Sequence, residues 1–185
     1  MKRKLIVCLC LLMIAGTSFG QSSTDLTGKA PSSEELINAL QTEKPRTRSL
    51  RTRTISGRGI SVNEVQQPVT PKSVNLTIEF ELDSVRLTQQ AVMVLEQLGT
   101  AMNSDQLGSD KFRIVGHTDS SGASDYNYNL SLDRSSAVER YLVRNHGVTE
   151  TRLIAEGKGE MQPLDTGNPM SAKNRRVEIV NLGSQ

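Results

Sequence analysis

The feature that most constrains this chain is a change of hydrophobic period that begins at Val74. Val74, Leu76, Ile78 and Phe80 alternate with Asn75, Thr77 and Glu79, the period-two signature of a half-buried strand. Asp83-Ser84 breaks that pattern. Ala91, Val94, Leu95, Leu98 and Met102 then recur at helical spacing, which predicts a helix over 88–103. Residues 103–110 read as loop, and 112–115 as a short strand that stops at Gly116. A second helix is expected over 124–145, with Leu130, Ala137, Val138, Tyr141 and Leu142 on one face and Gly147 as its C-terminal stop. A third strand fits 152–155, punctuated by Gly157 and Gly159. After a Pro/Gly/Asn loop over 162–172, Val177, Ile179 and Leu182 mark a last strand. The expected fold is therefore α+β, a two-layer α/β sandwich. Its order is β-α-β-α-β-β, with a mixed four-stranded sheet and two helices on one face.

What precedes this pattern is different in kind. Lys2, Arg3 and Lys4 lead into an apolar stretch, and Ser18-Phe19-Gly20 offers small residues where a signal peptidase reads. Residues 1–20 are expected to be a cleavable signal peptide, the alternative being a retained anchor. The apolar stretch falls short of the roughly 20 residues that span a bilayer. Cys8 and Cys10 both lie inside it, so the processed chain has neither disulfides nor thiolate metal sites. Removal of the three bases leaves 19 Lys+Arg against 20 Asp+Glu, where the whole chain has 22 against 20. With a charge near −1, nothing points to nucleic acid as a partner.

Residues 21–72 are rich in Ser, Thr, Pro and Arg and sparse in apolar residues, the composition of a flexible tail. Ser32 and Glu35 have capping-box spacing ahead of Leu36, Ile37 and Leu40, which marks a short helix near 33–42. Six bases and no acid lie between Lys44 and Arg58. Such a run is usually a solvated linker. In an exported protein it could also clasp anionic lipid heads, a wall polymer or an envelope protein.

The informative stretch is Gly116-His-Thr-Asp-Ser-Ser-Gly122, leading through Tyr126-Asn127 to Arg134. Asp119 stands just beyond the C-terminal end of a strand, where ligands gather in open α/β sheets. The helix that follows adds unpaired N–H groups. Arg134 lies further along that helix, and its side chain leans back toward the helix N-terminus. A carboxylate and a guanidinium facing one crevice match a ligand with an ammonium and a carboxylate close together, as in an amino-acid head.

In these motifs, and in Phe80-Glu-Leu-Asp83-Ser84, Leu130-Ser131, Gly157-Lys-Gly159-Glu160 and Asn174-Arg175-Arg176-Val177-Glu178-Ile179, the chain resembles the OmpA-like, peptidoglycan-associated family over 74–182. The resemblance implies non-covalent binding of the peptidoglycan stem peptide through meso-diaminopimelate. Asp119 would take its ammonium and Arg134 its carboxylate, with Thr118, Asn127 and Asp83 as supporting polar contacts. It further implies that the last strand inserts between the first two. It implies a place in the periplasm of a Gram-negative cell, against the wall and the outer membrane. Leu82 stands where many members have an aromatic, and Ser135 where alanine is usual.

Catalysis is not expected. No Gly-x-Ser-x-Gly nucleophile elbow is present beyond the expected signal peptide, and His117 beside a turn reads as a hydrogen-bonded structural group. With His117 and His146 as the only histidines, no metal site and no cofactor are expected. Arg175 and Arg176 could touch a wall polymer, although paired arginines flanking a strand are more often structural. A rival reading gives the tail the main role, as the partner-binding part of an envelope scaffold, with the domain as a wall tether only.

Overall fold

The computed structural model describes residues 22–28, 30–42, 71–81 and 84–184. The expected signal peptide, the basic run between Lys44 and Arg58, Leu82 and Asp83 lie outside the described residues. Eight principal elements follow in order: β1 (Ser22–Asp25), α1 (Ser33–Leu40), β2 (Lys72–Leu76), α2 (Gln89–Met102), β3 (Lys111–His117), α3 (Ser124–His146), β4 (Leu153–Gly159) and β5 (Val177–Gly183). The sheet order is β1-β2-β5-β3-β4. β1 runs parallel to β2 and β3 parallel to β4, while β5 is antiparallel to both of its neighbours, β2 and β3.

The last strand thus lies between the first two expected strands, as the family resemblance implies. A central reversed strand has a geometric consequence. The N-terminal end of β5 meets the C-terminal ends of β2 and β3 on one rim of the sheet.

Among the described residues the sheet has five strands rather than four, and three helices pack with it rather than two. The added elements, β1 and α1, come from the segment read as a tail. β1 escapes pattern analysis because Ser22-Ser-Thr-Asp25 contains no apolar residue. It joins the sheet through backbone pairing with β2 alone. α1 begins with a complete capping box. The Ser32 N–H donates to Glu35 Oε2 at 2.9 Å, and the Glu35 N–H donates to Ser32 Oγ at 3.3 Å. Alone, eight residues would hardly stay helical. Here Leu36 and Leu40 are fully buried against the core, worth about 1.5–3 kcal/mol each. Asn181 of β5 fixes the helix end, donating from Nδ2 to the Leu40 carbonyl at 2.9 Å and to Asp110 Oδ2 at 2.7 Å. Average composition misjudged the segment because two well-placed leucines and one buried amide suffice to dock it.

The core lies between the sheet and the three helices. α2 contributes Ala91, Val94, Leu95, Leu98, Ala101 and Met102, and the strands contribute Val74, Leu76, Phe112, Ile114, Leu153, Val177 and Ile179. Thr88 caps α2, its Oγ1 accepting from the Ala91 N–H at 3.2 Å. Gly147, at φ +63°, ends α3 in the left-handed conformation. Strand β4 runs on through Gly157 and Gly159, which were expected to end it, because α3 passes too close for side chains there. A Cβ on Gly157 would stand 2.6 Å from Ser131 Oγ, and one on Gly116 only 2.1 Å from the Ser131 carbonyl oxygen. α3 accordingly turns Ser131 and Ser135, both fully buried, toward the sheet. Their hydroxyls are satisfied: Ser131 Oγ donates to the Tyr128 carbonyl and accepts from the Gly159 N–H, and Ser135 Oγ donates to the Leu132 carbonyl.

Candidate functional site

The rim where β2 and β3 end and β5 begins holds a cleft of about 310 Å³. The segment after β2 supplies Thr77, Ile78, Glu79 and Phe80; the end of β3 supplies Gly116 and His117; the approach to β5 supplies Arg175 and Arg176; and α3 supplies Arg134. The Arg134 guanidinium carbon stands 5.0 Å from the centroid of the Phe80 ring, within cation–π range. That contact places the guanidinium against the cleft wall.

Asp119 is placed two residues beyond β3 and is nearly buried. Its carboxylate is held on both sides. Oδ1 accepts from the Ser121 N–H at 3.0 Å, and Oδ2 accepts from Arg175 Nη1 at 2.6 Å. Burial alone would raise the carboxyl, but Arg175 and the Ser121 backbone and side chain outweigh it and hold the group below the usual carboxylate range. Asp119 is therefore ionised at neutral pH.

The direct partner of Asp119 in this structure is thus Arg175, not Arg134. The spacing argument named Asp119 and the helix guanidinium but not Arg175, which pairs with Asp119 and lines the same cleft as Arg134. The only signal available in the sequence was the Arg-Arg pair itself, which carries no indication of a partner 56 residues away.

Arg176 has a different role. It is nearly buried, and its Nε donates to Asn75 Oδ1 at 2.8 Å and its Nη2 to the Gln162 carbonyl at 3.2 Å. It ties β5 to β2 and to the loop after β4.

The supporting residues separate similarly. Asn127 is buried at the first turn of α3. Its Nδ2 faces the Ser121 carbonyl at 2.9 Å, Glu160 Oε2 at 2.7 Å and the Asp119 carbonyl at 3.3 Å. It braces the 119–121 turn against the end of β4, so Glu160 is part of the framework that spacing did not reveal. Thr118 is buried, its N–H donating to the Gly159 carbonyl at 2.9 Å. Its Oγ1 has no partner among the described residues.

His117 is buried beside Glu178, with Nε2 3.4 Å from Glu178 Oε2. That is ion-pair distance, although the alignment of a hydrogen bond is lacking. Burial, the largest influence, pushes the imidazole below its usual range. Glu178 opposes this and Arg176 adds to it. A buried imidazole that stays neutral is a packing group at the cleft floor. Among the described residues no three His, Asp or Glu side chains cluster as metal ligands would.

Taken together, an ionised carboxylate, three guanidiniums and the apolar side chains of Ile78, Phe80 and Val177 gather at the end of a mixed sheet in a two-layer α/β domain. The profile of the OmpA family matches residues 79–176, just over half of the chain, and the chain belongs to that family.

It is 34% identical over 125 residues to outer membrane protein A of Bordetella avium, covering 66% of this chain and 63% of that protein. It is 37% identical over 107 residues to the peptidoglycan-associated lipoprotein of Pseudomonas putida, covering 56% and 61%. The chain therefore spans about three fifths of the length of these two curated relatives. The crystal structure of the peptidoglycan-associated lipoprotein from Burkholderia pseudomallei superposes with a TM-score of 0.50 at 30% identity, covering 56% of this chain and 87% of that one. The family profile begins after β2, so β1 and α1 lie outside it.

Proposed function

We propose that this protein binds the peptide stem of peptidoglycan non-covalently in the periplasm and tethers the cell envelope, on its outer-membrane side, to the wall. The bound group is meso-diaminopimelate. Asp119 receives its ammonium and Arg134 its carboxylate. Thr118 and Asp83 add polar contacts, and Asn127 keeps the Asp119 turn in place. The protein acts by binding and not by catalysis.

One observation carries this reading. An ionised, nearly buried carboxylate stands at the end of β3 in a chain of the OmpA family, beside a cleft lined by the α3 arginine. Arg175 and the Ser121 backbone and side chain leave at least one of the roughly four acceptor positions of the Asp119 carboxylate open. A ligand ammonium can therefore bind without displacing either. Two of the relatives are peptidoglycan-associated lipoproteins, which supports peptidoglycan as the polymer bound. The basic run between Lys44 and Arg58 serves as an electrostatic contact to anionic lipid heads, a wall polymer or an envelope protein.

The test is co-sedimentation with purified diaminopimelate-type peptidoglycan at low and at physiological salt. Wild type is expected to pellet, and Asp119→Ala and Arg134→Ala are each expected to lose about 2–5 kcal/mol of binding, the usual cost of deleting one member of a buried charged pair. Pelleting that survives both substitutions would refute the site. If it were also abolished by salt, the basic run would be the binding element instead.

A further inference from the structure

The cleft is rich in guanidinium donors. Among the described residues its wall holds Arg134, Arg175 and Arg176 together with the carboxylate of Glu79, and Arg175 is paired with Asp119. Arg176 is accounted for by its own acceptors on Asn75, Asn174 and Gln162. Arg175 is not. Among the described residues its side chain engages through Nη1 alone, on Asp119, and it is 52% exposed. The remaining donors of its planar fork are available on the cleft side. The bond to Asp119 already orients that fork, so little rotamer entropy is lost when a second anion binds. A ligand whose ammonium sits on Asp119 necessarily brings its neighbouring groups against Arg175.

We infer that Arg175 is a second carboxylate-binding residue of this cleft, and that the site selects a stem peptide with two free carboxylates over the same peptide with one of them amidated. This rests on the stem-peptide reading above, with Arg134 taking the diaminopimelate carboxylate and Arg175 a second one nearby. A carboxamide keeps the shape but loses the charge, and its NH₂ meets the donors of Arg175 with another donor.

The experiment is titration calorimetry of the mature chain with synthetic diaminopimelate stem tripeptides. One peptide has all carboxylates free. The others carry a single amide, either on diaminopimelate or on the preceding glutamyl α-carboxylate. Wild type should bind the free acid about tenfold tighter than one of the amides, as expected for loss of a charge-assisted hydrogen bond. Arg175→Gln should bring the two affinities within about twofold of each other. Arg175→Lys, which keeps the charge without the fork, should fall between.

Wild type that binds the free acid and both amides equally overturns the inference and leaves the stem-peptide reading intact. So does Arg175→Gln that weakens every peptide by the same factor, since Arg175 would then only position Asp119. No binding of any peptide by wild type sinks both.

Discussion

Replacing Gly116 by alanine tests how the site is assembled, because Gly116 is where α3 rests on β3. A methyl group there would stand 2.1 Å from the Ser131 carbonyl oxygen and 2.9 Å from its carbon. Both are backbone atoms that cannot rotate aside. Restoring an ordinary contact needs roughly 1 Å of helix displacement, which forfeits about a quarter to a half of the dispersion energy across the gap. For Val138 and Leu142, buried by α3, that is about 1 kcal/mol of the burial energy. Loss of the 2.9 Å bond between the Gly159 N–H and Ser131 Oγ adds about 1 kcal/mol. Residual overpacking adds about 1–3 kcal/mol.

The expected destabilisation is therefore about 3–5 kcal/mol, a large part of a domain's total of about 5–15 kcal/mol. Equilibrium urea unfolding followed by far-ultraviolet circular dichroism measures it, since the chain has no tryptophan. Gly147→Ala is the comparison. That residue sits at φ +63° with nothing within 4 Å of an added Cβ, so only the backbone penalty of about 1–2 kcal/mol applies. If Gly116→Ala unfolds within about 0.5 kcal/mol of wild type, or costs no more than Gly147→Ala, then α3 does not rest on β3 as described. The same displacement would carry Arg134 away from Asp119, so the proposed wall binding should fall even at temperatures where the variant remains folded.

Leu36→Ala, at a fully buried position of α1, should cost about 2–5 kcal/mol in the same unfolding experiment; an unchanged midpoint would mean that 22–42 is not part of the folded body. Arg152 donates to the carbonyls of Asp110, Met102 and Leu107 at 2.8–2.9 Å, so Arg152→Ala should destabilise by about 2–4 kcal/mol and raise amide exchange over 103–110. The Tyr141 hydroxyl is pushed up to about 12 by burial first and then by its hydrogen bond to Glu96. Because the folded value lies above the unfolded one, this contribution is full below about pH 10 and is lost as pH rises through about 12. Ultraviolet titration should show a phenolate step near pH 12 that Tyr141→Phe removes.

Much of the frame was legible because it is written in local periods. The alternation from Val74, the helical spacing from Ala91 to Met102 and the glycine after His146 each report which side of an element is apolar or where it must stop. The capping box at Ser32 and Glu35 likewise needs only a four-residue window. The places of Asp119 just past β3 and of Arg134 along α3 were legible because a strand end followed by a helix start is a local feature.

Other features depended on distances that no local window contains. β1 has no apolar residue to mark it and exists by backbone pairing with β2 across some 50 residues of chain. The pairing of Asp119 with Arg175 follows from β5 being reversed between β2 and β3, which brings the start of the last strand to the end of the third. Ser131 and Ser135 look polar and exposed in the sequence, yet they are buried because two glycines let α3 lie directly on the strands. Local pattern specifies the apolar face of each element. Long-range backbone pairing and close approach decide which faces meet, and those depend on the whole chain having already collapsed.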